Sequence, residues 1–191
     1  MNVDKKEDRK KVHKTATLGG GCFWCLEAAF SELEGVEKVQ PGYSGGRLDN
    51  PTYEQVCTNT TGHAEVVQIV YDPTVVSYEG LLDVFFFVHD PTTLNRQGGD
   101  IGEQYRSVIF YHTKEQKAVA REKVRQLEKQ KTWRNPIVTQ IVPLERFYEA
   151  EGYHKGYYRL NSEKPYCRAV IAPKLSKLRT KHRFKLIGSD S

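Results

Sequence analysis

The chain switches repeatedly between a two-residue and a 3.6-residue hydrophobic period, and this alternation restricts its fold more than any other feature. "VHKTATLGGG" alternates as a strand does and ends in glycines. "CFWCLEAAFSELEG" follows with helical spacing, and Gly35 is placed to stop it. "VEKVQPGYSGG" reads as a second strand running into turn residues, and "HAEVVQIVYDP" as a β-branched strand closed by Asp72-Pro73. "SYEGLLDVFFFVHD" predicts a helix with Ser77 as its N-cap, and "SVIFYH" a short buried strand. Thr113 and Gln116 form a capping-box pattern ahead of a long charged helix whose Ala120, Val124 and Leu127 share one apolar stripe. "IVTQIVP" adds a strand, and the tyrosine-rich segment after it has no clear period. The order is β-α-β-β-α-β-α-β, and its first six elements match the split βαβ arrangement. The expected class is α+β: a ferredoxin-like two-layer sandwich, helices on one face of a mostly antiparallel sheet, with a long irregular C-terminal segment.

With 191 residues, 38% of them hydrophobic and 28% charged, the chain can bury one core, and one domain is expected. The longest apolar run, "LLDVFFFV", contains Asp83 and falls far short of the roughly 20 residues needed to span a bilayer. The polar start "MNVDKKEDRKKVHK" has no apolar stretch of the signal-peptide kind, so a cytoplasmic protein without membrane contact is expected. The net charge of +5 is concentrated at the ends: residues 1–15 carry +3 and residues 174–191 carry +5, which leaves −3 for residues 16–173. A polar N-terminal tail (1–15), a single catalytic domain (16–173) and a basic C-terminal tail (174–191) are the predicted divisions, and a monomer is expected. Neither tail interleaves aromatics as single-strand binders do, which argues against a nucleic-acid partner.

Chemistry concentrates in "GGGCFWCLE" at 19–27. If the helix begins near Cys22, unpaired N–H groups and the positive end of the helix dipole converge on its sulfur and favour a thiolate. Gly19, Gly20 and Gly21 would leave room above that sulfur, and Phe23 and Trp24 could wall an apolar pocket for a group such as a methyl. Cys22-x-x-Cys25 has no second paired cluster and the chain has no H-x₃₋₅-H pair, so no metal site is expected. A thioredoxin-like oxidoreductase using Cys22 and Cys25 stays open on these residues alone, as does a pair of packed structural thiols. In "TGHAEVVQIVYDP", Glu65 shares its strand face with Val67, Ile69 and Tyr71, so its carboxyl should be desolvated and able to donate a proton near neutrality. "GGDIGEQYRS" sets Asp100 and Tyr105 in a glycine-rich loop.

Together these stretches resemble the A-type peptide methionine sulfoxide reductases. The resemblance rests on "GCFW" at 21–24, "GYSGG" at 42–46, "NPTYEQVC" at 50–57, "TGHAEVVQIVYDP" at 61–73, "HDPTTLNRQGGDIGEQYRS" at 89–107 and "PYC" at 165–167, in that order. It implies reduction of the S epimer of methionine sulfoxide, free or within proteins. Cys22 would be the attacking thiolate and Glu65 the acid, with Tyr53 and Tyr105 hydrogen-bonded to the sulfoxide oxygen, Asp100 helping to hold the site, and Phe23 and Trp24 cradling the methyl group. The product on the enzyme would be a sulfenic acid, converted to a disulfide and then reduced by thioredoxin or another dithiol, with no bound cofactor. Many members have glycine where this chain has Cys25, so Cys167 and Cys25 are both candidates to resolve the sulfenic acid, Cys167 favoured as the one on a chain end able to swing in. Cys57 has no assigned role.

Overall fold

The structure is a computed structural model that describes residues 12–181. Its elements are β1 (Lys14–Gly19), α1 (Phe23–Phe30), β2 (Val36–Ser44), α2 (Tyr53–Cys57), β3 (Ala64–Tyr71), α3 (Tyr78–Val88), the short strands β4 (Arg96–Gln97) and β5 (Asp100–Ile101), β6 (Val108–Tyr111), α4 (Lys114–Lys129), β7 (Gln140–Pro143), β8 (Phe147–Glu149), α5 (Tyr157–Leu160) and α6 (Ala172–Lys181). Six strands form one mixed sheet in the order β7-β6-β1-β3-β2-β8, and β4 and β5 pair apart from it. Among the described residues, only the β6–β7 pairing is parallel within the larger sheet.

The two faces of β3 show why the layers form. Val67, Ile69 and Tyr71 join the main core with Leu26, Phe30, Leu82 and Phe85 from α1 and α3, while Ala64 and Val66 pack on the opposite face with Val108 and Phe110. Glu65 shares the parity of the first set and therefore points into the helix layer. Ser77 caps α3 by accepting the Gly80 N–H at 3.0 Å. No helix among the described residues is long and apolar enough to cross a membrane.

Three expectations differ from what is found. The first helix ends at Phe30 rather than at Gly35, because the next residues tighten into i→i+3 bonds that drop Leu33 into the core. The Thr113 capping box is half formed: Thr113 accepts the Gln116 N–H at 3.2 Å, but the Gln116 amide turns away to bridge the His112 N–H and the Thr15 carbonyl, each at 2.8 Å. The expected boundary at residue 174 falls inside α6, where Leu175 and Leu178 are buried beside α1 and α3 and Arg179 forks onto Glu32. Lys177, Arg179 and Lys181 thus lie on the outer side of a docked helix while Lys174 is half-buried, and 182–191, like 1–11, lie outside the described residues.

Candidate active site

β1 delivers the chain into α1 through Gly19, Gly20 and Gly21. A Cβ at Gly19 would stand 2.9 Å from the Glu65 carbonyl oxygen, and Gly21 adopts φ +90°. The glycines therefore bring β1 close against β3 and turn the chain sharply, rather than opening space above a sulfur. Cys22 is the N-cap of α1, its carbonyl accepting the Cys25 N–H at 3.1 Å.

The thiol of Cys22 does not behave as its position alone suggests. Burial pushes its pKa well up, helped by contact with Cys25 and the field of Glu65, and the Trp24 N–H offsets only part of this. Cys25 moves the other way: the Cys22 thiol serves it as hydrogen-bond donor, the charge of Lys174 assists, and these overcome its own burial. The two thiols titrate as a pair.

Glu65 is 1% exposed, and its Oε2 accepts the Phe23 N–H at 3.0 Å. Burial lifts its pKa to about 8, with Asp100 and Cys25 adding to the shift against that one N–H donor, so the carboxyl keeps its proton at neutral pH. Tyr53 opens α2 behind a complete capping box between Thr52 and Gln55, and its ring lies over Phe23 at 6.4 Å and 21°. Tyr105 ends a short 3₁₀ turn, Glu103–Tyr105. Both phenols are pushed up first by burial and next by Glu65, so all three groups share one low-dielectric site. Asp100, on β5, accepts the Tyr166 hydroxyl at 2.6 Å.

Phe23 differs from expectation: it is 0% exposed beneath Tyr43, Tyr53 and His154, so it backs the apolar wall instead of facing outward. The half-buried Trp24 presents the accessible part. All four cysteines are free; Cys57 is half-buried at the end of α2, and Cys167 is 0% exposed at the head of a π-helical turn, Cys167–Ile171. Among the described residues there is no group of three or more His, Cys, Asp or Glu able to hold a metal ion.

The sequence reading missed the residues that the tyrosine-rich segment contributes. Trp24 donates its indole N–H to His154 Nδ1 at 3.0 Å, which fixes the His154 proton on Nε2, and Tyr157 stacks on Trp24 at 3.7 Å and 7°. Glu151 accepts the Tyr43 hydroxyl at 2.8 Å and the Tyr53 N–H at 2.7 Å. Glu27, one turn beyond Cys22, accepts the Gly156 N–H at 2.8 Å and so ties this segment to α1. Its only signal in the sequence was a density of aromatics without period.

A sequence profile of the peptide methionine sulfoxide reductase family matches residues 14–186. The chain belongs to that family. Among peptide methionine sulfoxide reductases it is 56% identical to one from Saccharolobus solfataricus over 164 residues, 86% of this chain and 92% of that protein. In three dimensions it resembles Mxr1 of Saccharomyces cerevisiae in reduced form, with a TM-score of 0.73 and 36% identity over 85% of this chain and 92% of Mxr1. Mxr1 solved in complex with Trx2 also matches, at a TM-score of 0.51 and 29% identity over 80% of this chain and 88% of that one.

Proposed function

We propose that this reductase returns the S epimer of methionine sulfoxide, free or within proteins, to methionine, and that thioredoxin or another dithiol then restores it. The observation that carries the mechanism is a carboxyl, Glu65, sealed from solvent and held by the Phe23 N–H next to the thiol at a helix start, where burial favours its protonated form. A sulfoxide sulfur is a poor electrophile until its oxygen is protonated or strongly hydrogen-bonded. Glu65 supplies the proton, and the Tyr53 and Tyr105 hydroxyls steady the oxygen in a site where each donor is worth more than in water. Trp24, backed by Phe23, holds the substrate methyl, and Asp100 orders the opposite rim.

The Cys22 sulfur bonds to the substrate sulfur as the oxygen takes the Glu65 proton, and the thiol's own proton replaces it. Oxygen then passes to Cys22, giving methionine and Cys22–SOH: the substrate sulfur is reduced by two electrons and the cysteine sulfur oxidised by two. Condensation of Cys22–SOH with a second thiol expels water and forms a disulfide. Cys25 already touches Cys22, which favours it as first partner, and Cys167 lies close enough to Cys25 to feel its charge. A thioredoxin dithiol then returns both sulfurs to thiols while becoming a disulfide itself, a role supported by the complex of Mxr1 with Trx2. The protein would work as a cytoplasmic monomer without a bound cofactor, and its inner strands β6-β1-β3-β2 with α1 and α3 would be a ferredoxin-like sandwich extended by β7 and β8.

The test is turnover of an S-epimer methionine sulfoxide peptide with dithiothreitol, followed as methionine by chromatography. Wild type should turn over, Cys22→Ser should not, and Glu65→Gln should lose about 10²-fold or more. Absence of turnover by wild type, with disulfide exchange through Cys22 and Cys25 intact, would favour a general thiol-disulfide oxidoreductase instead.

A further inference from the structure

Three glycines carry the chain from β1 to Cys22, and each rests on a different support. Gly19 lies against the Glu65 carbonyl of β3. A Cβ at Gly20 would stand 2.9 Å from Phe85 Cε2 and 3.0 Å from the His89 ring, so the end of α3 takes the second glycine. The third support is Gln97 of β4: a Cβ at Gly21 would stand 2.6 Å from its Cγ and 2.8 Å from its Cβ. Gly21, at φ +90°, sets the direction in which Cys22 enters α1. Gln97 thus presses its methylenes on the last joint before the nucleophile.

The amide of the same side chain is engaged elsewhere. Its Oε1 accepts the Asp90 N–H at 3.0 Å and its Nε2 donates to the Asp90 carbonyl at 3.0 Å, so one amide closes both backbone groups of a single residue. Asp90 follows His89 directly, and the supports of Gly20 and Gly21 are therefore tied to each other. Across the β4–β5 hairpin Gln97 pairs with Asp100, whose carboxylate accepts the Tyr166 hydroxyl at 2.6 Å. At the hairpin's tip a Cβ on Gly98 or Gly99 would meet nothing within 4 Å, so the tip offers the hairpin little hold. The half-buried Gln97 is where it is anchored to the loop after α3.

We propose that Gln97 is a positioning residue for sulfoxide reduction: its stem under Gly21 and its amide on Asp90 hold the turn that aims Cys22 and the hairpin that carries Asp100 in one fixed relation. It touches no reacting atom, and its effect is on aim. Attack of sulfur on sulfur needs the two atoms held about 3 to 3.5 Å apart and in line, and a misplacement of 1 Å can cost about 10²-fold. Glutamine suits the task because it carries a donor and an acceptor side by side at the end of an unbranched stem; methionine has the stem without the amide, and an ionised glutamate lacks the donor. The assignment rests on the reductase reading, because the sulfoxide defines what Cys22 must be aimed at; the hold on the turn does not.

The experiment separates the two. Full-length reduced wild type, Gln97→Met and Gln97→Glu are compared at a temperature where circular dichroism shows all three folded. One assay follows methionine formed in a single turnover of an S-epimer methionine sulfoxide peptide over a range of peptide concentrations. The other uses no sulfoxide and measures how fast iodoacetamide labels Cys22, mapped by mass spectrometry. Gln97→Met should slow the saturated single-turnover rate about tenfold or more, with the half-saturating concentration within about twofold of wild type. Cys22, 7% exposed in the intact site, should be labelled severalfold faster once its turn is released. Gln97→Glu should share the turnover defect near neutral pH and lose most of it, as a ratio to wild type, at about pH 5, where the new carboxyl can take up a proton and donate it to the Asp90 carbonyl. Gln97→Met has no such group and should not recover, which general loosening would not distinguish. A saturated rate in Gln97→Met equal to wild type would overturn the assignment, as would unchanged Cys22 labelling in both variants or a Gln97→Glu defect that acid does not ease. A wild type that forms no methionine would instead strike the reductase reading, and Cys22 labelling would still decide whether Gln97 holds the turn.

Discussion

Glu65 sets stability against activity, and the size of that opposition follows from its burial. In the folded protein its pKa is about 8, whereas an unfolded chain places it near 4.3. The sign follows from proton binding: between those values the unfolded chain has shed a proton that the folded protein retains, so rising pH favours unfolding. At pH 7 the cost is roughly 3 to 4 kcal/mol, at about 1.4 kcal/mol for each tenfold in proton affinity. Glu65→Gln keeps the shape and can still accept the Phe23 N–H now held at 3.0 Å, but it never ionises. Urea unfolding at pH 7 should therefore find the variant more stable than wild type by about 2 to 3 kcal/mol, after allowing for an amide hydrogen poorly matched to the pocket. The gap should close and reverse slightly by pH 4, where the amide mismatch is nearly all that remains, widen with pH, and level off above pH 8. Equal stability of the two proteins at pH 7, or a gap that grows on acidification, would refute the claim that a desolvated, protonated Glu65 sits at the centre of this site.

The same proton gives turnover an alkaline limb: the rate with wild type should fall as pH rises through about 8, and that limb should be missing from the residual rate of Glu65→Gln in a pH–rate profile. Leu178→Ala, at a fully buried position of α6, should cost about 2 to 5 kcal/mol in urea unfolding, whereas a loose tail would tolerate it. Tyr157→Ala removes the ring stacked on Trp24 and should raise KM for a peptide substrate severalfold with a smaller change in kcat, read from steady-state kinetics.

What could be read from the sequence was whatever a short stretch of chain decides for itself. The strand parity of "HAEVVQIVY" places Glu65 among Val67, Ile69 and Tyr71, and the structure seals it there with a raised pKa. Ser77 caps its helix as its spacing predicts. Thiol acidity could not be read the same way. A helix start favours a thiolate, but only when solvent or donors reach it; at Cys22 burial outweighs the single Trp24 N–H. Nor could the contacts of His154, Tyr157 and Tyr166, which reach α1 across 130 residues or more through ring faces and single hydrogen bonds that leave no periodic trace. The basic run in α6 misled for a related reason: two leucines three residues apart are enough to dock a short helix, and the lysines around them dominate its composition.

These two kinds of information meet at Cys25. Its position on α1 comes from local sequence, one helical turn from Cys22, and by itself leaves a packed thiol and a redox partner equally open. Its environment is shared between the two: the Cys22 thiol does most to lower the pKa of a sulfur that burial alone would raise, and the charge of Lys174, from the far end of the chain, adds to it. A structural thiol gains nothing from such neighbours, because a neutral S–H packs as a small hydrophobe. A thiol that must attack a sulfenic acid, and then serve as leaving group when a third cysteine attacks, gains at both steps from being a better anion. If that is why Lys174 stands there, Lys174→Met should slow disulfide formation after a single turnover while leaving the methionine burst intact. An unchanged disulfide rate in that quenched-flow measurement would return Cys25 to the core as an ordinary packed residue.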